Sequence, residues 1–140
     1  MAIERLTTQQ ESLLLNFHKI DEQVLRAVWR VYFEQSLDKI ILKFDHDSLS
    51  IEAVSDDDTI TLQIISNTNL NLEDAIDGSL SEPWNTFIGQ SFGWGWITIN
   101  QQEAVDGVLL SFRGIVPQII LNVMASSIKE NKIKKITTDK

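Results

Sequence analysis

Cysteine is missing from this chain altogether, and proline occurs only at Pro83 and Pro117. Without a thiol there is no thiolate nucleophile, no disulfide framework and no zinc site built on sulfur. Positive charge is missing from a long window. No lysine or arginine lies between Phe44 and Phe112, where twelve aspartates and glutamates fall. Long apolar runs are missing too. The longest are three residues, as at Leu13–Leu15 and Ala27–Trp29, far short of the roughly 18 to 20 that span a bilayer. The opening Met-Ala-Ile-Glu-Arg-Leu has no basic stretch leading into an apolar one, so it does not read as a signal peptide. These absences predict a soluble, cytoplasmic protein with no membrane partner. Catalytic signatures are also wanting: there is no G-x-S-x-G, no P-loop, no H-E-x-x-H and no G-x-G-x-x-G opening a helix. Nucleic acid is not an expected partner, because a polyanion needs a positive footprint and the middle of this chain repels it.

What is present describes one domain over residues 1–140, with 43% apolar residues and a formal net charge of −8. A chain of this length buries enough surface to fold without a metal or a disulfide. Thr8-Gln9-Gln10-Glu11 has the form of a capping box, and Leu13, Leu14, Phe17 and Ile20 follow at helical spacing, so a helix is expected over 8–20. Residues 23–34 fit either a helical face or an alternating strand, and their β-branched and aromatic content favours the strand. Alternation then marks strands around Ile40–Phe44, Leu49–Ala53 and Ile60–Ile64, with Asp45–Ser48 and Asp56–Asp58 as turns. A long connection is expected over 66–87, with one helical turn near Leu72–Ile76. A second set of strands follows over 88–136, ending in a long strand from Ile119 whose continuation carries Lys129, Lys132, Lys134 and Lys135. A helical reading of 118–128 stays open.

Sliding the chain by 68 residues lays Leu37–Phe44 over Val105–Phe112, matching Asp38 with Asp106, Leu42 with Leu110 and Phe44 with Phe112. The expected fold is therefore α+β and β-rich. Two antiparallel meanders (23–65 and 88–136), related by an internal repeat, share one core with an N-terminal helix packed on it.

Three groups of residues could carry function. Phe92-Gly93-Trp94-Gly95-Trp96 places two tryptophans on one face of a strand, with Trp84 nearby in sequence. They are either core or an aromatic platform for a partner. Asp45-His46-Asp47 with Asp56-Asp57-Asp58 is oxygen-rich enough to suggest a cation site, but its spacing fits no EF-hand, and solvated turns explain it as well. His18 and His46, the only histidines, stand far apart and form no catalytic pattern.

Leu37–Phe44, Asp56–Ile60, and Ile88–Trp96 followed by Asp106-Gly107 resemble a small family of uncharacterised proteins found largely in cyanobacteria, over roughly residues 20–130. Glu103-Ala104-Val105 departs from that pattern, where a glycine and an aromatic are expected. The resemblance implies a compact β-rich domain and transfers no activity and no site.

The resulting expectation is a non-enzymatic interaction module of inhibitor, immunity or assembly-factor type that binds a basic protein or segment. Trp84, Trp94 and Trp96 would serve as anchors, and Asp56, Asp57 and Asp58 as steering charges. The alternatives are a small-ligand binder with a tryptophan-lined pocket and a metal-dependent enzyme using the aspartates and His46. No cofactor is expected and no metal site is assigned.

Overall fold

The structure, a computed structural model, describes residues 7–54 and 58–133. One helix, α1 (Thr8–Lys19), precedes nine strands: β1 (Ala27–Phe33), β2 (Ser36–Lys43), β3 (Asp47–Val54), β4 (Thr59–Ser66), β5 (Ile76–Asp77), β6 (Phe92–Ile99), β7 (Val105–Phe112), β8 (Ile119–Met124) and β9 (Ser127–Lys132). They form two antiparallel sheets, ordered β4-β3-β2-β1-β5 and β6-β7-β8-β9. The β-rich α+β architecture with an N-terminal helix is thus as the alternation of the chain predicts.

Alternation explains which faces turn inward. Val28 pairs with Leu42, Ile40 with Ile51 and Leu49 with Ile64 in the first sheet. Val108 pairs with Leu121 and Leu110 with Ile119 in the second. Of these, all but the half-buried Ile64 are completely excluded from solvent. Buried side chains from α1 and from both sheets belong to one hydrophobic cluster, in which β2 approaches β9 and β4 approaches β7.

α1 starts at the expected residue, but its cap stands one residue earlier than the sequence suggested. The cap is Thr7, whose Oγ1 accepts from the Gln10 amide at 3.1 Å, while Gln10 Oε1 accepts from the Thr7 amide at 2.9 Å. Thr7-Thr8-Gln9-Gln10-Glu11 contains two overlapping capping boxes. The one chosen buries Gln10, whose Nε2 donates to Glu103 O at 2.9 Å and ties the helix start to the β6–β7 turn.

One further expectation is refined and one is corrected. The connection after β4 holds a 3-10 turn at Asn67–Asn69, then a single turn closed by the Ala75 amide on Leu72 O at 3.1 Å where one helical turn was expected, and then the short β5. Asn67 anchors the first of these: its side-chain amide donates to Phe44 O at 2.8 Å, and its Oδ1 accepts from Ser48 Oγ at 2.6 Å. The expected single long strand from Ile119 is instead a hairpin. β8 and β9 pair from Ile119↔Lys132 to Met124↔Ser127 around the loop Ala125-Ser126. Both loop residues lie in the left-handed region, at φ 52° and 66°, the geometry of a type I′ turn. That turn carries none of its usual glycine or asparagine, so the alternation on either side reads as continuous. Paired strand continues to Lys132, while Lys134 and Lys135 lie outside the described residues.

Left-handed backbone costs alanine about 1 kcal/mol relative to residues that tolerate it. Replacing Ala125 by asparagine should therefore raise stability by about that amount, seen as a higher urea midpoint with an unchanged slope.

Candidate functional site

Leu13, Leu14 and Leu15 are consecutive on α1, and successive helical residues are turned by about 100°, so the three cannot all face one core. Leu13 goes inward with Phe17 and Ile20, whereas Leu15 is 58% exposed. The helix runs alongside β6, the terminal strand of its sheet. Gly95 makes this possible, because a Cβ there would run into the Phe17 ring. The helix and strand then leave an open groove of about 400 Å³ between them, lined by Leu14, Leu15 and His18 on one side and Trp94, Trp96 and Ile97 on the other. His18 stands edge-on to Trp94 with ring centroids 4.9 Å apart, and Phe17 lies 6.2 Å from Trp94 and 6.0 Å from Phe92. Sequence reasoning reached the two tryptophans but missed Leu15 and His18. The triple leucine was the signal that one of its members had to face outward.

The groove ends in acids. Gln10 binds the helix start to Glu103, and the Glu22 amide donates to Phe92 O at 3.2 Å at the other end, so α1 is antiparallel to β6. Exposed Glu11 and Glu103 therefore stand at one end, and exposed Asp21 and Glu22 at the other.

Trp84, expected as a third anchor, is elsewhere. It is completely buried, and its indole N–H donates to Glu130 Oε2 at 2.6 Å. Glu130 in turn receives Arg30 Nε at 3.0 and 3.1 Å, and the rest of that guanidinium donates to Ser81 Oγ and to Glu82 O. The side chains of Arg30 and Glu130 are each only 12% exposed. Trp84 is thus a core residue whose polar atom has an internal partner, which removes it from any recognition surface.

The acidic candidates are also separated. Asp56 and Asp57 lie outside the described residues. Asp58, half-buried with φ 53°, accepts from the Ser126 amide at 2.9 Å, so it links the β3–β4 and β8–β9 turns. Asp45 accepts from Arg26 Nε at 2.7 Å and from the Val24 amide at 3.1 Å. Those two bonds, Arg26 first, hold its carboxyl below the usual value of 3.8. Their stabilising effect is present above that usual value and is lost as pH falls through the lowered one. Asp47 accepts from Gln23 Nε2 at 3.0 Å, and Gln23 Oε1 receives the His46 and Asp47 amides. These groups hold the 45–47 turn against the strap at 23–26. Among the described residues no group of three or more histidines, aspartates and glutamates could hold a metal ion. Among them, too, no helix is long and apolar enough to cross a membrane.

Removing either partner of the buried pair strands the other charge. Arg30→Ala and Glu130→Ala should each cost about 3–5 kcal/mol. The double variant should lose less than the sum of the two. Urea denaturation of the three proteins checks this, and strictly additive losses would contradict the coupling.

No curated protein matches this chain, and no solved structure matches it. A family model described as "Family of unknown function (DUF6334)" matches residues 9–137, covering the helix and both sheets. The chain is therefore a member of the DUF6334 family.

Proposed function

We propose that this protein is a non-enzymatic binding module that docks a segment of a basic partner protein in the α1/β6 groove. The observation that carries this reading is the groove itself: an open apolar trough containing half-exposed Trp94 and Trp96 and exposed Leu15, with carboxylates at both ends. Tryptophan and neighbouring apolar groups supply affinity once water is displaced, and surrounding charge selects the partner and speeds encounter. The wider charge balance points the same way. The chain carries −8, and the described residues contain two ion pairs, Arg26–Asp45 and Arg30–Glu130. Most of the described carboxylates stand outside ion pairs and can act on an approaching cation. Asp58, with Asp56 and Asp57 beside it in sequence, would add to that field. Inhibitor, immunity and assembly-factor roles all use a surface of this kind. A tryptophan-lined pocket for a small ligand has less support, because Trp84 is sealed in the core while Trp94 and Trp96 border an open trough.

The same reading treats the two meanders as duplicated units sharing one core. The 68-residue offset carries β2 to within one residue of β7 and starts β4 and β9 together. The hydrophobic cluster that includes both sheets supports a common core.

Capture of partners from the native cell, with wild type compared against Trp96→Ala and Leu15→Ser, tests the function. A basic protein should be retained by wild type and bound at least about tenfold more weakly by each variant. It should also be released as salt is raised across the range that screens exposed charges. Equal capture by all three proteins, or salt-insensitive binding, would remove the proposal.

A further inference from the structure

The floor of the groove is a strand edge, buried at Gly95 and half-buried at Ile97, and beyond residue 92 no described segment pairs with it. Leu110 O accepts from the Gln118 amide at 2.8 Å, and the Phe112 amide donates to the Gln118 side chain at 2.7 Å. Even-numbered residues of β7 therefore direct their backbone groups toward β8. The Arg113 amide donates to Ser91 O at 2.9 Å, so the odd-numbered residues direct theirs toward β6. With Trp96 opposite Leu109 and Thr98 opposite Gly107, these are the hydrogen-bonded pairs. Gly95 and Ile97, opposite Leu110 and Val108, are the intervening ones, whose N–H and C=O point away from β7. Among the described residues, no backbone hydrogen bond outside the strand pairing uses either residue.

Three observations say what fits there. The chain itself pairs with the first part of this edge: the Phe92 amide donates to Gln23 O at 2.8 Å and the Leu25 amide to Gln90 O at 2.9 Å. Residues preceding that strap form α1, so the pairing stops at Phe92 and the edge continues unpaired. Second, β6 has no charged residue from Phe92 to Ile99, whereas β9, the opposite edge of the sheet, carries Lys129, Glu130 and Lys132. Charges on an edge discourage strand addition, and β6 lacks that protection. Third, the acids at both ends of the groove call for a guest with positive ends.

We propose that the groove is a strand-addition site. An extended partner segment, alternating apolar and polar residues between terminal lysines or arginines, pairs with the backbone of Ile97 along this edge. Its apolar side chains lie against Leu15, His18 and Trp96. This rests on the groove reading above and specifies how the groove binds. A second copy of this chain is a poorer occupant. Two β6 edges related by a twofold axis would set Glu11 and Glu103 of one copy beside Asp21 and Glu22 of the other, at each end.

The probe is a blocked hexapeptide, Lys-Val-Thr-Val-Thr-Lys, with two analogues N-methylated at alternate residues in the two possible frames. The parent should bind at about 1 mM or tighter. One analogue should bind like the parent and the other at least about tenfold more weakly, because only one frame faces β6. On the protein side, Ile97→Pro removes an N–H that β7 does not use, a position where an edge strand tolerates proline. It should weaken the parent peptide at least about tenfold beyond Ile97→Ala, which keeps the N–H. Equal binding of both analogues, or equal binding by the two Ile97 variants, overturns strand addition, as does a parent peptide that does not bind. Leu15→Ser separates the two layers. If it still weakens the parent peptide, the groove reading survives the loss of strand pairing; if it does not, that reading falls as well. A peptide-free dimer that Ile97→Pro dissociates would assign the edge to a second copy and overturn the proposal.

Discussion

The fold depends on one buried ion pair. Arg30 on β1 and Glu130 on β9 are a hundred positions apart in sequence and meet between the two sheets at 3.0 Å. Around them converge the Trp84 indole, the Ser81 hydroxyl and the Glu82 carbonyl, all from the segment that carries the chain from one sheet to the other. Two charges withdrawn from water are tolerable only when their remaining hydrogen-bonding positions are filled. Here the carboxylate receives both Arg30 and Trp84, and the guanidinium spreads its other donors over the crossover. Even Gly78 belongs to this arrangement, since a Cβ there would crowd the Arg30 guanidinium. The position of the crossover, and so the point where β6 begins, follows from that cluster.

The opposite flank is closed by apolar packing instead. α1 contacts β4 and β6, which are terminal strands of different sheets, and drives Phe17 against Gly95. The helix lies along β6 with Phe17 over Gly95 and leaves the groove open beside Trp94 and Trp96. The groove is the consequence of filling a gap between two sheets with a helix that has one leucine too many for its buried side. The free edge is the consequence of a strap that pairs with residues 90–92 and then gives way to that helix. Together they supply both kinds of contact that an extended segment uses, backbone pairing and apolar pockets.

The strands were legible because a period of two leaves a clear trace. β2, β3, β4 and β7 lie where Ile40, Leu49, Ile60 and Val108 mark them. The β8–β9 hairpin was not legible, because Ala125 and Ser126 give no chemical sign of a left-handed turn. Nor was the cap, because two threonines in a row offered equally good registers and only the tertiary bond from Gln10 to Glu103 separates them. Of the candidate site, Trp94 and Trp96 could be read from their spacing. Trp84 could not be told apart from them, since its neighbours Pro83 and Asn85 say nothing of the glutamate that awaits its indole 46 residues later. The steering aspartates illustrate the same limit: nothing near Asp58 in sequence reveals that Ser126 claims its carboxylate.

The central claim is that β6 presents a strand edge with alternate backbone groups free. Amide hydrogen exchange along β6 in the unliganded protein tests it without knowledge of any partner. The account predicts alternation: slow exchange at Trp96 and Thr98, which are paired with β7, and fast exchange at the half-buried Ile97 between them. Uniform protection across these three amides would show that the edge is already covered, and would contradict the account.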